Sequence, residues 1–174
     1  MFSEAILLVL FPAAMIYAAA SDLVTMTISN WLSIALFVCF FAAAALIGMP
    51  AAEMGWHLAA SAVVLVFAFT FFAFGWIGGG DAKLAAATAL WIGFSHLMDY
   101  LLVAAIIGGA LTLLILQVRK WPLPNFLARQ SWIARLHAFE TGIPYGIALA
   151  AAGLIVYPET VFMHASPAFS WLSP

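Results

Sequence analysis

Val63-Val64-Leu65-Val66-Phe67-Ala68-Phe69-Thr70-Phe71-Phe72-Ala73-Phe74 runs without a charge into Gly75-Trp76-Ile77-Gly78-Gly79-Gly80-Asp81. The apolar part is too long and too pure for a soluble protein, and the glycine run ends on a carboxylate. The whole chain shares this character: 174 residues, of which 67% are hydrophobic and 7% charged, with a mean hydropathy of +1.16. A soluble domain carries about 25% charged residues. The bilayer is therefore the expected solvent, and the fold class is all-α: a polytopic membrane helix bundle. A carboxylate costs roughly 2.5–3.5 kcal/mol near the centre of a bilayer on insertion scales, so Asp81 needs a reason to be where it is. The same holds for Asp22, its upstream counterpart at a helix end.

A span needs roughly 20 apolar residues to cross ~30 Å, and the chain supplies about six candidates. They run from Ala5 to Ala20, Trp31 to Ile47, Trp56 to Phe74, Ala82 to Leu97, Tyr100 to Val118 and Ile143 to Tyr157. The fourth is short and begins at the glycine run. Pro158 interrupts the sixth, and the apolar tail, residues 158–174, either extends that helix or lies at the interface. Neither an internal repeat nor a linker divides the sequence, so residues 1–174 read as one domain with a core over about 5–157. The N-terminus has no positive residue before its apolar run, which argues against a cleavable signal peptide.

Charge orients the bundle. Arg119, Lys120, Arg129 and Arg135 lie between the fifth and sixth spans, and Lys83 follows the glycine run. With six spans these connections share a side, which the positive-inside rule assigns to the cytoplasm. Both termini then face outward, on the side that carries Glu4, Glu53, Asp99 and Glu159. The loop from Arg119 to Arg135 is expected near anionic lipid head groups. Five basic residues form no patch that could track phosphates, so no nucleic acid is expected as a partner.

Asp22 and Asp81 come out on the same cytoplasmic side, which makes chemistry possible. Two nearby carboxylates do not both ionise easily. One then takes a proton from water while the other, protonated, bonds a scissile carbonyl. The glycines at 78, 79 and 80 permit positive φ and a close backbone approach beside Asp81. Blander roles compete: a tight connector for Gly-Gly-Gly-Asp, and an interfacial cap for Asp22. Cys39, alone, reads as a small buried hydrophobe. His57, His96, His137 and His164 share no metal-like spacing, so neither a metal nor another cofactor is expected; His57 and His96 read as interfacial side chains. Trp56, Trp91, Trp121 and Trp132 read as interface anchors, and Glu140, near Arg135 and His137, as solvated or ion-paired.

Three elements together carry a family likeness. Asp22 with Ile28-Ser29-Asn30-Trp31 after it, Gly78-x-Gly80-Asp81-x-Lys83, and Ile143-Pro144-Tyr145-Gly146 resemble the type IV prepilin peptidases. The resemblance is closest to the short form associated with tight-adherence (Flp-type) pili, and it covers the chain from about Ala5 to Gly153. It implies an aspartyl endopeptidase of the bacterial inner membrane that cuts the basic leader from prepilins at the cytoplasmic face. Asp22 and Asp81 then match the catalytic aspartates and Gly78 and Gly80 the motif glycines; Lys83, in the same element, is expected with those glycines at the substrate's approach. Ser29 stands where the family has proline, and a basic residue common in that short loop is missing. Longer members carry paired Cys-x-x-Cys motifs and also methylate the new pilin terminus; with Cys39 alone, methylation is not expected here. Two other readings remain. A presenilin-type protease pairs its motif with Tyr-Asp, whereas Asp22 follows Ser21. A non-enzymatic transporter or pilus-assembly scaffold would use the aspartates for ion passage.

Overall fold

The computed structural model describes residues 2–164, with side chains from residue 9 onward. Among the described residues the chain is helical, with no strand. The α-helices are α1 (Phe2–Thr25), α2 (Asn30–Leu46), α3 (Ala51–Ala73), α4 (Gly79–Ile92) and α5 (Leu97–Val118). Two short helices, α6 (Asn125–Ala128) and α7 (Ser131–His137), lie in the basic connection, followed by α8 (Gly146–Val156) and α9 (Val161–His164). Turns of 3-10 helix precede α5 (Phe94–His96) and follow α8 (Tyr157–Glu159).

Two helical segments, Ala51–Ala73 and Phe94–Val118, are long and apolar enough to cross a membrane. Val9–Thr25, Asn30–Leu46 and Gly146–Glu159 are apolar but shorter. Two of the six expected spans therefore meet this measure among the described residues, and α1, at 24 residues, is of comparable length. Val66, Phe67 and Phe69 of α3 and Leu102, Ile106 and Leu113 of α5 point outward, well exposed. A water-soluble monomer rarely shows so continuous an apolar surface, whereas lipid accepts it.

Glycine ends the helices where the chain must reverse. Gly75, at φ 74°, donates to the Phe72 carbonyl while Trp76 donates to that of Phe71. That paired closure satisfies the last carbonyls of α3 and needs a left-handed residue at its corner. The reversal sets α4 against α3. Leu84 through Ile92 are all buried, so α4 is the central helix, surrounded by α2, α3, α5 and α8. Its alanines at 85, 86, 87 and 89 let those neighbours approach closely.

The far end of α4 is held by aromatic packing. Trp91 is fully buried and donates its indole N–H to the Leu36 carbonyl at 3.0 Å. Phe11 stacks on Tyr157 with centroids 4.4 Å apart, and Phe162 lies 5.0 Å from Trp91. Two sequence expectations fail here. Trp91 is a core residue instead of an interface anchor, because the shortness of α4 places its last turn inside the bundle. The chain beyond Pro158 neither prolongs the sixth helix nor lies at the interface as far as His164. Phe162 and Thr160 are buried, folding this stretch back over the aromatic cluster; residues 165–174 of the tail lie outside the described residues. Trp56 and Trp121 are exposed as expected, Trp132 is half-buried, and Cys39 is half-buried against the core.

Because Trp91 combines full burial with a hydrogen bond, Trp91→Ala is expected to destabilise the bundle by about 3–5 kcal/mol. Reversible unfolding in mixed micelles, followed by far-UV circular dichroism, measures this directly.

Candidate functional site

Asp22 lies in the last turn of α1, a helix that runs past its expected end at Ala20, and its side chain is 5% exposed. The chain then turns through Met26, a non-glycine residue at φ 56°. Local hydrogen bonds hold this turn. The Ser21 hydroxyl donates to the Thr27 carbonyl at 2.9 Å, and the Thr25 hydroxyl to the Ser21 carbonyl at 2.7 Å. Ser29 caps α2 by accepting from the Trp31 N–H, so a serine where the family's proline is expected has its own local role.

Asp81 stands in the first turn of α4, at the same end of the bundle. Gly78 precedes the helix with φ −73° and ψ 146°, and none of the glycines at 78, 79 and 80 adopts positive φ. The expected use of φ is therefore corrected: what these glycines supply is space. A Cβ at Gly78 would lie 3.0 Å from an Asp81 carboxylate oxygen, and one at Gly80 would lie 3.2 Å from the Ile28 Cβ. Lys83, one helical step further on, donates to the Asn30 side-chain oxygen at 2.8 Å. It ties the start of α4 to the start of α2 across the Ile28 loop.

The two aspartates meet through a third element. The backbone N–H of Gly146, the first residue of α8, donates to Asp22 Oδ2 at 2.8 Å, and the same N–H reaches the Asp81 carboxylate. An α-helix carries roughly half a positive charge at its N-terminus, so α8 presents its favourable end to both acids. No side chain fits at this corner: a Cβ on Gly146 would sit 2.8 Å from Asp22 Oδ2 and 2.6 Å from Ile28 Cδ1. Ile28, 9% exposed, is thus wedged between Gly80 and Gly146 and seals the carboxyls from one side. An apolar groove of about 220 Å³, lined by Leu23, Leu111, Ile115, Pro144 and Ile147 among others, lies between α5, the basic connection and the start of α8.

Burial pushes the Asp81 carboxyl up to about 7 from an ordinary 3.8; the charge of Asp22 adds to the rise, and the N–H groups of Gly78 and Gly146 oppose it. Asp81 stands ahead of the apolar part of α4. Asp81 therefore holds its proton to a higher pH than an ordinary carboxyl, and burial pushes the Asp22 carboxyl up as well, against the Gly146 N–H.

The approach to α8 is braced from α5. The Tyr145 ring lies over Gly108, where a Cβ would come within 2.3 Å of it, and its hydroxyl faces the Ala104 carbonyl at 3.4 Å. Arg119 is 5% exposed; its guanidinium donates to the Leu136 and Gly142 carbonyls and to the Thr141 hydroxyl. The expectation that this arginine sits among lipid head groups is corrected, because its donors are used to fold residues 131–142 back onto α5. Arg135 reaches the Val24 carbonyl at 3.2 Å, so the basic connection also touches the end of α1. Glu140 is exposed.

Sequence reading singled out Asp22, Asp81, Gly78, Gly80 and Lys83, and the structure gathers all five at one end. It assigned no role to Ile28, Tyr145 or Gly146, although each lies inside a quoted motif; the signal available was a glycine directly after Pro144-Tyr145 at the head of an apolar run. His57, expected at the interface, is buried at the opposite end. Among the described residues no group of three or more His, Cys, Asp or Glu side chains comes together to hold a metal ion.

Gly146→Ala is expected to destabilise the protein by about 1–3 kcal/mol through overpacking against Asp22 and Ile28. Chemical unfolding of the variant beside wild type tests this, and Gly142→Ala, where a Cβ meets nothing within 4 Å, is the neutral control.

A family model described as the type IV leader peptidase family matches residues 9–113. The match takes in Asp22 and Asp81 and stops short of Gly146. No curated protein and no solved structure matches the chain.

Proposed function

Because the chain belongs to the type IV leader peptidase family, we propose that it is an aspartyl endopeptidase, with Asp22 and Asp81 as its catalytic pair. The observation that carries this is the convergence of both carboxyls on the Gly146 N–H. Its substrate is the leader segment of type IV prepilins, of the Flp-like class that the short form of the family serves. The protein works as a multi-pass protein of the bacterial inner membrane, with the Asp22–Asp81 end in the cytoplasm. That end also carries Lys83 and the basic connection after α5, as the positive-inside rule requires. Cleavage is its whole chemistry, without methylation of the product.

The division of labour follows from the surroundings of each acid. Burial raises both carboxyls; Asp22, which accepts the Gly146 N–H at 2.8 Å, is assigned the role of base, and Asp81 that of acid. A water between them gives a proton to Asp22 as its oxygen adds to the scissile carbonyl carbon. Asp81 passes its proton to the carbonyl oxygen, so the tetrahedral diol forms without a free charge. On collapse, Asp22 returns its proton to the leaving nitrogen, the C–N bond breaks, and one diol hydroxyl restores the proton to Asp81. Lys83 holds the Ile28 loop through Asn30 and so keeps the approach to Asp81 in place, while Gly78 and Gly80 leave that approach free of side chains.

Asp22→Asn and Asp81→Asn are each expected to remove nearly all leader cleavage, since groups acting as a unit fail singly. Conversion of a prepilin to its mature length in membranes is the measurement, with helix content by circular dichroism showing that each variant is folded. Substantial cleavage by either variant would overturn the assignment.

The pH dependence has a definite sign. The folded-state value of Asp81, about 7, lies above the ordinary 3.8, so its proton is present in acid and lost as pH rises through 7. Single-turnover cleavage in reconstituted vesicles should therefore fall on the alkaline side of about pH 7, and a rate still climbing from pH 7 to 9 would assign the acid to another group.

A further inference from the structure

The end of the bundle away from Asp22 and Asp81 holds a second cavity. Its volume is about 390 Å³, and it is lined by Glu53, Trp56, His57, Phe94 and Ser95. The fourteen residues of α4 rise about 21 Å between the two ends, so this cavity and the carboxyl pair are separate sites.

His57 is the most informative wall. It is 7% exposed, between Phe40 and Phe162, and its Nδ1 lies 2.7 Å from the Leu90 carbonyl. A carbonyl oxygen only accepts, so Nδ1 carries a proton. Gly93, at φ 70°, passes against the imidazole, where a Cβ would fall 2.8 Å from the ring. The ring is thereby fixed as a wall of the cavity. Glu53 stands one helical turn earlier on α3, on the same face as His57, and adds a carboxylate. Ser95 adds a hydroxyl oxygen. Trp56 and Phe94 form the rim, edge to face with centroids 6.1 Å apart, and both rings are exposed.

The site thus combines a carboxylate and a hydroxyl oxygen with an imidazole and two aromatic rings, and its lining contains no Lys or Arg. All five Lys and Arg residues of the chain (Lys83, Arg119, Lys120, Arg129 and Arg135) belong to the other end. The lining offers an anion no positive charge. A compact cation with N–H donors matches the carboxylate and the hydroxyl oxygen, and aromatic faces attract such a cation further. We propose that this cavity binds a primary ammonium group, as carried by an ethanolamine lipid head group or a free small amine.

The test uses the full-length protein in nanodiscs. Phosphatidylethanolamine, its N-methyl and N,N-dimethyl derivatives and phosphatidylcholine, all with the same acyl chains, are compared as guests in a phosphatidylglycerol host. With the ethanolamine lipid at about five times its dissociation constant, the melting temperature is expected to rise by roughly 2–4 °C over the phosphatidylcholine sample. The rise should shrink with each added methyl, as N–H donors are lost. Glu53→Gln and Ser95→Ala should each reduce it, Glu53→Gln most, with unchanged helix content. Soluble ethanolamine titrated into nanodiscs of phosphatidylglycerol and phosphatidylcholine distinguishes the sources. A saturable rise there that Glu53→Gln abolishes assigns a free amine; a rise seen only with the lipid assigns the head group. Equal melting temperatures across the lipid series together with no response to soluble ethanolamine would overturn the proposal. So would a Glu53→Gln and a Ser95→Ala variant that both keep the full wild-type rise, since bulk bilayer effects would then account for it. The readout is unfolding and not cleavage, so the result is independent of the peptidase reading.

Discussion

A single backbone N–H, that of Gly146, serves two carboxyl groups that would otherwise repel one another. The rest of the architecture can be read as what holds that N–H in place. It requires α8 to start beside the last turn of α1 and the first turn of α4, with no side chain at the corner. Three contacts secure this. At mid-helix, Gly153 lies where a Cβ would be 3.1 Å from Thr88 of α4 and 3.3 Å from the Met15 sulfur of α1, so the three helices meet without a gap. At the entry, Tyr145 packs over Gly108 of α5. Ahead of it, Arg119 gathers the carbonyls of residues 136 and 142 and draws the incoming chain against the end of α5. A buried guanidinium is costly unless its donors are satisfied; here Nε and Nη2 donate to three protein acceptors, and those bonds hold the lead-in to the site.

The two ends of α4 do opposite work. Around Trp91 the packing is aromatic and the indole N–H has its acceptor. Around Asp81 a carboxyl is held where burial disfavours its charge. Stabilisation at the first end offsets the cost at the second, and α4 is short enough, and alanine-rich enough, to couple both within one central helix. The arrangement also explains why the glycines at 78 and 80 are needed although they have ordinary dihedrals. Any Cβ there would push on the Asp81 carboxylate or on Ile28, and through Ile28 on Gly146.

The likeness to a peptidase family and the geometry support each other without overlapping completely. The family match ends at residue 113, whereas the group that joins the two acids is contributed by residue 146. The part of the chain that carries the recognisable residues is therefore incomplete as a site until α8 packs back onto it. His57 makes a similar point at the other end. In sequence it is one histidine among four; in the fold it is buried between Phe40 and Phe162, bonded to the Leu90 carbonyl and set into the wall of a cavity.

Composition and local pattern were enough to determine that this chain is a helical bundle suited to lipid, that its helices break near residues 48 and 75, and that Asp22 and Asp81 are the unusual residues. Those properties are local: each rests on a run of apolar residues, a glycine at a corner, or a charge where charges are scarce. The tertiary structure alone decided that Trp91 is core and not anchor, that the glycines supply space instead of positive φ, that Arg119 is spent inside, and that Gly146 joins the acids. Each of these depends on a contact between segments far apart, the Asp22–Gly146 bond spanning 124 positions. Such a contact follows from which helix faces pack together, and in a chain whose helices are apolar on nearly every side, periodicity leaves no polar face to mark which way each one turns.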